Sequence, residues 1–246
     1  MNSATIAAFM LVTAAATHPL VAQHAHTKPA NPDSSHMIGA ADAAMSGPMS
    51  EAAKKHMQLS PTRRATRDDS IRAIEVARQL RGVLAKYADT TASVAAGYKM
   101  FMPNVKTQRV YHFTNYRNAF LEALRFDVAR PTSLLYQRAP DGNLELIGAM
   151  YTAPKRMRAE KLDGRVPLSI ARWHKHVNWC LPRKGQTERW LERRDGLPVF
   201  GPESPIASRP ECEDVGGQFY PSLFGWMIHA NVFLGDDLAT VFGHDH

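Results

Sequence analysis

Two stretches 53 residues apart place histidines in the same pattern. Trp173-His174-Lys175-His176-Val177-Asn178 and Trp226-Met227-Ile228-His229-Ala230-Asn231 both read W-x-x-H, then a small apolar residue, then Asn. On a strand, residues i and i+2 share a face. His174, His176, Asn178 and Cys180 are therefore expected together, with Trp173, Val177 and Trp179 opposite. In the second stretch His229 and Asn231 share a face, with Ile228, Ala230 and Val232 behind them. If the strands are neighbours, His176 and His229 face each other at roughly 5 Å, the spacing of a directly opposed pair. Convergent imidazoles backed by an apolar layer suit a divalent transition metal. Asn178 and Asn231 would then orient the imidazoles by hydrogen bonding. The plainer alternative is two half-exposed strands with histidines at their edges.

His112, inside the aromatic run Gln108–Thr114, is the third candidate ligand, although a lone His among aromatics is commonly a satisfied core residue. Met150 is the fourth. It sits within LELIGAMYT, on the face expected for Leu144, Leu146 and Gly148, where a methionine is either core filler or an axial copper ligand. The expected set is thus His112, His176 and His229, with His174 as alternate or fourth ligand and Met150 axial.

The elements that must position these residues are legible in outline. Asp68, Asp69 and Ser70 can start a helix, and Ile71, Ile74, Leu80, Val83, Leu84 and Tyr87 recur near helical spacing. Thr90 to Ala96 reads as a second helical piece ending at Gly97. After the 108–114 strand, Tyr116 to Leu124 reads as a short helix. Leu134–Arg138 and Leu144–Thr152 flank Asp141-Gly142, a hairpin signal. The stretches 172–181 and 219–234 are the His strands, and the Pro-rich span 181–217 between them reads as a long ordered loop. The fold class that follows is α+β, a mainly antiparallel sheet with flanking helices.

Residues 1–22 read as a signal peptide, with an apolar and small-residue run at Thr5–Ala16 and a cleavage site at Leu20-Val21-Ala22. No stretch approaches the ~20 apolar residues of a membrane span, so a secreted or periplasmic location is expected. Residues 23–67 read as a disordered segment rich in His, Met and Pro, followed by a single domain over 68–246. Its His24, His26, His36, Met37, Met45, Met49, His56 and Met57 suit copper, thioethers being preferred by Cu(I). The final Gly-His-Asp-His similarly suggests weak metal capture. Cys180 and Cys212 are the two cysteines. An isolated pair in an oxidising compartment usually forms a disulfide, and the alternative is Cys180 as a thiolate ligand on the His face.

The runs Val110–Asn115, Arg130–Tyr136 and Asp141–Tyr151 resemble a group of uncharacterised exported bacterial proteins. That group shows an H-[YF]-x-N strand, an RPxxLLY strand, an Asp-Gly hairpin and a terminal aromatic-flanked His strand. The resemblance spans roughly Tyr87 to Phe233. It implies a domain and export, and no mechanism. Members of the group carry Glu where this chain has Met150, which implies a hard ligand replaced by a soft one and copper favoured over zinc.

The formal net charge of +7 is concentrated in 155–194, which holds twelve Lys/Arg against four Asp/Glu. An anionic cell surface or polysaccharide suits such a patch better than nucleic acid does in an exported protein. No Gly-rich phosphate loop, G-x-S-x-G elbow or H-E-x-x-H motif occurs. Asp163, Asp195, Asp236 and Glu122 do not pair into an acid–base couple by spacing. The expected function is metal binding, with copper or zinc. A metal-dependent oxidase or hydrolase with an open coordination position is one alternative, and a surface-binding module without metal is another.

Overall fold

Thr66 and Asp69 start the first long helix by capping each other's backbone. The Thr66 hydroxyl accepts from the Asp69 N–H, and the Asp69 carboxylate accepts from the Thr66 N–H at 2.8 Å. The computed structural model describes residues 51–101, 103, 108 and 110–243. Its elements are α1 (Glu51–Lys55), β1 (Met57–Leu59), α2 (Arg67–Leu84), α3 (Thr90–Ala95), β2 (Lys99–Met100), β3 (Tyr111–Thr114) and α4 (Tyr116–Leu124). They continue with β4 (Ser133–Arg138), β5 (Leu144–Ala153), α5 (Ala159–Asp163), β6 (His174–Leu181), β7 (Arg193–Arg194) and β8 (Leu197–Pro198). The last are α6 (Arg209–Asp214), β9 (Gln218–Ser222), β10 (Trp226–Ala230) and α7 (Leu238–Phe242). The fold is α+β.

The main sheet has eight strands, in the order β1-β6-β10-β5-β4-β3-β2, with β9 added alongside β6. All of its pairings are antiparallel. Helix α2 packs on one face of it. The helix buries Ala73, Ala77, Leu80 and Leu84, while Ile71 and Ile74 are 55% and 54% exposed. The stripe inferred from the large residues is thus displaced toward the alanines, which share one core with Tyr136, Tyr151 and Trp173.

The segment 23–67, expected to be disordered, is partly built into the sheet. Met57 pairs with His176 and Leu59 with His174. His56 is buried, with its Nε2 2.7 Å from the Ser204 carbonyl. Arg63 clamps the buried Asp69 and also reaches Asp163. Residues 23–50 of that segment, with residues 1–22 and His244–His246, lie outside the described residues.

Three local irregularities aim side chains at the site. A bulge in β5 changes register between Leu135↔Gly148 and Tyr136↔Leu146. It reverses alternation, so Leu144 and Leu146 pack on the helix side whereas Met150 groups with Leu135, Ile147 and Met227 on the other. Asn178 takes a left-handed conformation, φ 58°, and reverses alternation within β6. Gly148 lies against the end of β10, where a Cβ would fall 2.2 Å from the Ala230 carbonyl oxygen. The span 181–217 holds the small β7–β8 hairpin and helix α6, which Ser208 and Glu211 cap.

Candidate metal centre

One face of the main sheet carries all of the candidate ligands. In the register, Met150 on β5 pairs with His229 on β10 and with Ser133 on β4. Met227 pairs with His174 on β6. Leu135 pairs with His112 on β3. His112, Met150, His174, His176 and His229 all line one cavity of about 380 Å³. His112, His174 and His176 are buried, and His229 is partly so.

Strands β3 and β10 are three strand intervals apart, about 14 Å on a flat sheet at ~4.8 Å each. The ring centroids of His112 and His229 are nevertheless 5.7 Å apart. The two side chains lean toward each other across β4 and β5, and Gly148 lets β5 sit close against the end of β10 because no side chain holds those two backbones apart.

The imidazoles form a chain. His229 neighbours His112 at 5.7 Å and His174 at 5.3 Å, and His174 neighbours His176 at 5.8 Å. The expected partner of His229 was His176, and the register corrects this. Antiparallel pairing sets Met227 opposite His174, so the repeated motifs slide past each other and His174 becomes the neighbour. His174, expected as the alternate, is internal to the chain, and His176 is at its end. Among the described residues, no three His, Cys, Asp or Glu side chains converge as an assembled ligand set.

The two asparagines are not placed as expected. Asn178 turns away, and its Nδ2 donates to the Lys55 carbonyl at 3.2 Å. Asn231 lies just past β10, where its N–H donates to the Val241 carbonyl, and its side chain does not line the cavity. Cys180 also leaves the His face. Because alternation reverses at Asn178, Trp179 and Leu181 line the cavity instead. Cys180 is disulfide-bonded to Cys212, packed with Val199, Phe200 and Val215. A thiolate ligand at Cys180 is thereby excluded.

Residues that motif reading passed over complete the cavity. Trp179 lies 5.2 Å and Phe224 6.1 Å from the His176 ring. Trp190, from the long connection, also lines it. At another part of the wall are Thr132 and Thr152, whose hydroxyls are 2.8 Å apart. Behind them is Glu122, 2% exposed. Its Oε2 accepts from the Thr132 hydroxyl and from the Thr152 N–H at 3.0 Å, and its Oε1 is buried without a hydrogen-bond partner. Burial pushes the Glu122 carboxyl up to about 7, against the pull of the Thr132 and Thr152 hydrogen bonds and the Arg165 charge. Arg165 donates to the main-chain carbonyls of Glu122 and Thr152 at 2.8 and 2.9 Å.

A second, open cleft of about 690 Å³ lies on the outer side of β6 and is lined by Lys54, Lys55 and Arg172 together with Asn178. Among the described residues, no helix is long and apolar enough to cross a membrane. Comparison with protein-family models, curated proteins and solved structures finds no match.

Proposed function

We propose that this protein binds one transition-metal ion at the imidazole chain, with His229 as the central ligand and His112 and His174 beside it. The observation that carries this reading is the position of the His229 ring, 5.7 Å from His112 and 5.3 Å from His174. Two imidazoles on one ion, each bonded at about 2.0–2.1 Å, have centroids roughly 5–6 Å apart at ordinary ligand angles. The neighbouring pairs already have that spacing, and ring rotations would bring the third nitrogen in. Met150 and Met227 add soft thioethers to the same wall, which favours copper over zinc.

Copper titration of the full chain tests the reading, with His24, His26, His36, His244 and His246 replaced by Ala to silence the termini. One equivalent should bind. His229→Ala should abolish it, and His176→Ala should weaken it least among the four. Retention of one tight equivalent in His229→Ala overturns the proposal.

The cavity beside the imidazoles favours a second reading, a metal-dependent enzyme with an open coordination position. Azide or cyanide perturbing the spectrum of the Cu(II) form separates it from simple metal binding. Export to an oxidising compartment is part of both readings, supported by the Cys180–Cys212 disulfide. The cleft lined by Lys54, Lys55 and Arg172 is the natural seat for an anionic surface or polysaccharide.

A further inference from the structure

Among the described residues, the cavity has a polar end at Thr132 and Thr152 and no charged anchor. Apart from the imidazoles, the described residues of its wall include no Lys, Arg, Asp or Glu, and they are chiefly aromatic and aliphatic groups such as Trp179, Trp190, Phe224 and Leu223. A charged organic ligand entering it would lose its hydration without a fixed counter-charge among the described residues. Its size, about 380 Å³, compares with the ~150 Å³ of an apolar cavity that holds benzene. Two fused rings with a substituent would fill it.

The hydrogen-bond polarity at the Thr132–Thr152 end is set from behind. Thr132 donates its hydroxyl proton to Glu122 Oε2, and the Thr152 hydroxyl lies 2.8 Å from Thr132 Oγ1 and 3.4 Å from the same carboxylate oxygen. An ionised carboxylate only accepts. Both threonine protons are therefore drawn inward, and what remains toward the cavity is lone pairs. The ligand group that matches them is a donor. An O–H on an aromatic ring is a strong neutral donor carried by a flat, apolar body.

We propose that the cavity binds a small phenol, with its hydroxyl donating to the Thr132–Thr152 pair and its ring against the aromatic wall that includes Trp179 and Phe224. This goes beyond metal binding and does not require it, because every group it uses is present in the metal-free chain. The imidazoles would line the side of the bound ring, so a phenol would also be placed next to any ion held there.

The test is calorimetric titration of the full, chelator-treated chain at pH 8 with 2-naphthol and with 2-methoxynaphthalene, which keeps the oxygen but lacks the proton. 2-Naphthol should bind one to one, and 2-methoxynaphthalene about tenfold more weakly, the worth of one hydrogen bond. Thr132→Val should remove that preference. Thr152→Val removes the second hydroxyl of the pair, which lies 2.8 Å from Thr132 Oγ1, and should narrow the ratio even if Thr132→Val fails to fold. Equal affinity for the two probes, no binding of either, or an unchanged ratio in both variants overturns the proposal. Copper stoichiometry, measured on the chain with the terminal histidines replaced as above, separates the two readings. Naphthol failing while copper binds rejects only the phenol, and the reverse rejects only the metal.

Discussion

Met150 on β5 stands directly opposite His229 on β10, so a thioether and an imidazole share one rung of the sheet. If both bind the ion, replacing the sulfur should change which metal is held more than whether one is. Met150→Leu is close to volume-conserving and should cost less than about 1.5 kcal/mol of stability. Cu(I) affinity is expected to fall about tenfold with Zn(II) affinity nearly unchanged. Competition titrations with chelators of known affinity measure both, and equal losses for the two metals would show that Met150 is packing alone.

Gly148 should be intolerant of any side chain. A Cβ there would lie 2.2 Å from the Ala230 carbonyl oxygen and 2.7 Å from the Asn231 Cα, both rigid backbone. Gly148→Ala is expected to destabilise by about 1–3 kcal/mol, the usual cost of forced overpacking, and to weaken metal binding by moving β10. Gly82 in α2 is the control, with nothing within 4 Å of its Cβ position. Gly82→Ala should stabilise by up to about 1 kcal/mol. Urea unfolding of both variants, together with copper titration, reads the contrast.

Glu122 should give the stability a signature between the ordinary carboxyl range and neutral pH. Its folded pKa is raised to about 7, so the folded state holds the proton more tightly than the unfolded state does. The stabilisation is complete below the ordinary carboxyl range and is lost as pH rises through about 7, an order-of-magnitude loss of about 3 kcal/mol by pH 8. Glu122→Gln cannot titrate and should lack that fall. The variant should therefore gain on the native chain between pH 5 and pH 8 in chemical unfolding, and parallel curves would rule the assignment out.

The disulfide closes a loop across 32 positions of sequence separation. In the chain-entropy view a loop of that size is worth about 3–4 kcal/mol, so Cys180→Ala/Cys212→Ala should lose about that much. The neighbouring Gly217 supplies an independent check. A Cβ there would sit 2.5 Å from Cys180 Sγ and 2.8 Å from Cys212 Sγ, so Gly217→Ala should destabilise the oxidised protein more than the double-alanine one. Equal effects in the two backgrounds would contradict that packing.

What was legible in the sequence was mainly what alternation and capping encode. The YHFT run puts Tyr111 and Phe113 in the core and leaves His112 for the other face. The Asp141-Gly142 signal marks the β4–β5 hairpin, with Gly142 at φ 89°. Alternation fails wherever a single residue resets the phase. The β5 bulge moves Met150 to the cavity side, away from Leu144 and Leu146, and Asn178 exchanges Cys180 for Trp179. The repeated W-x-x-H motif suggested His176 opposite His229, but likeness of sequence does not fix the register of an antiparallel pair, and the ladder sets Met227 against His174. Ser208 and Glu211 spell a capping box inside what reads as a loop. Glu122 had no signal, because its partners Thr132 and Thr152 are brought to it only by the tertiary fold.

The left-handed turn at Asn178 makes one strand serve two chemistries in series. Residues before it belong to the imidazole wall, and residues after it divide between the aromatic wall and the disulfide cluster. The length of β6 is therefore a phase as well as a distance. Adding or removing one residue between His176 and Cys180 would transpose sulfur and indole, sending a cysteine into the cavity and a tryptophan into the sulfur cluster. Change in this stretch is restricted to substitution, and at position 178 to residues such as Gly, Asn or Asp that accept positive φ.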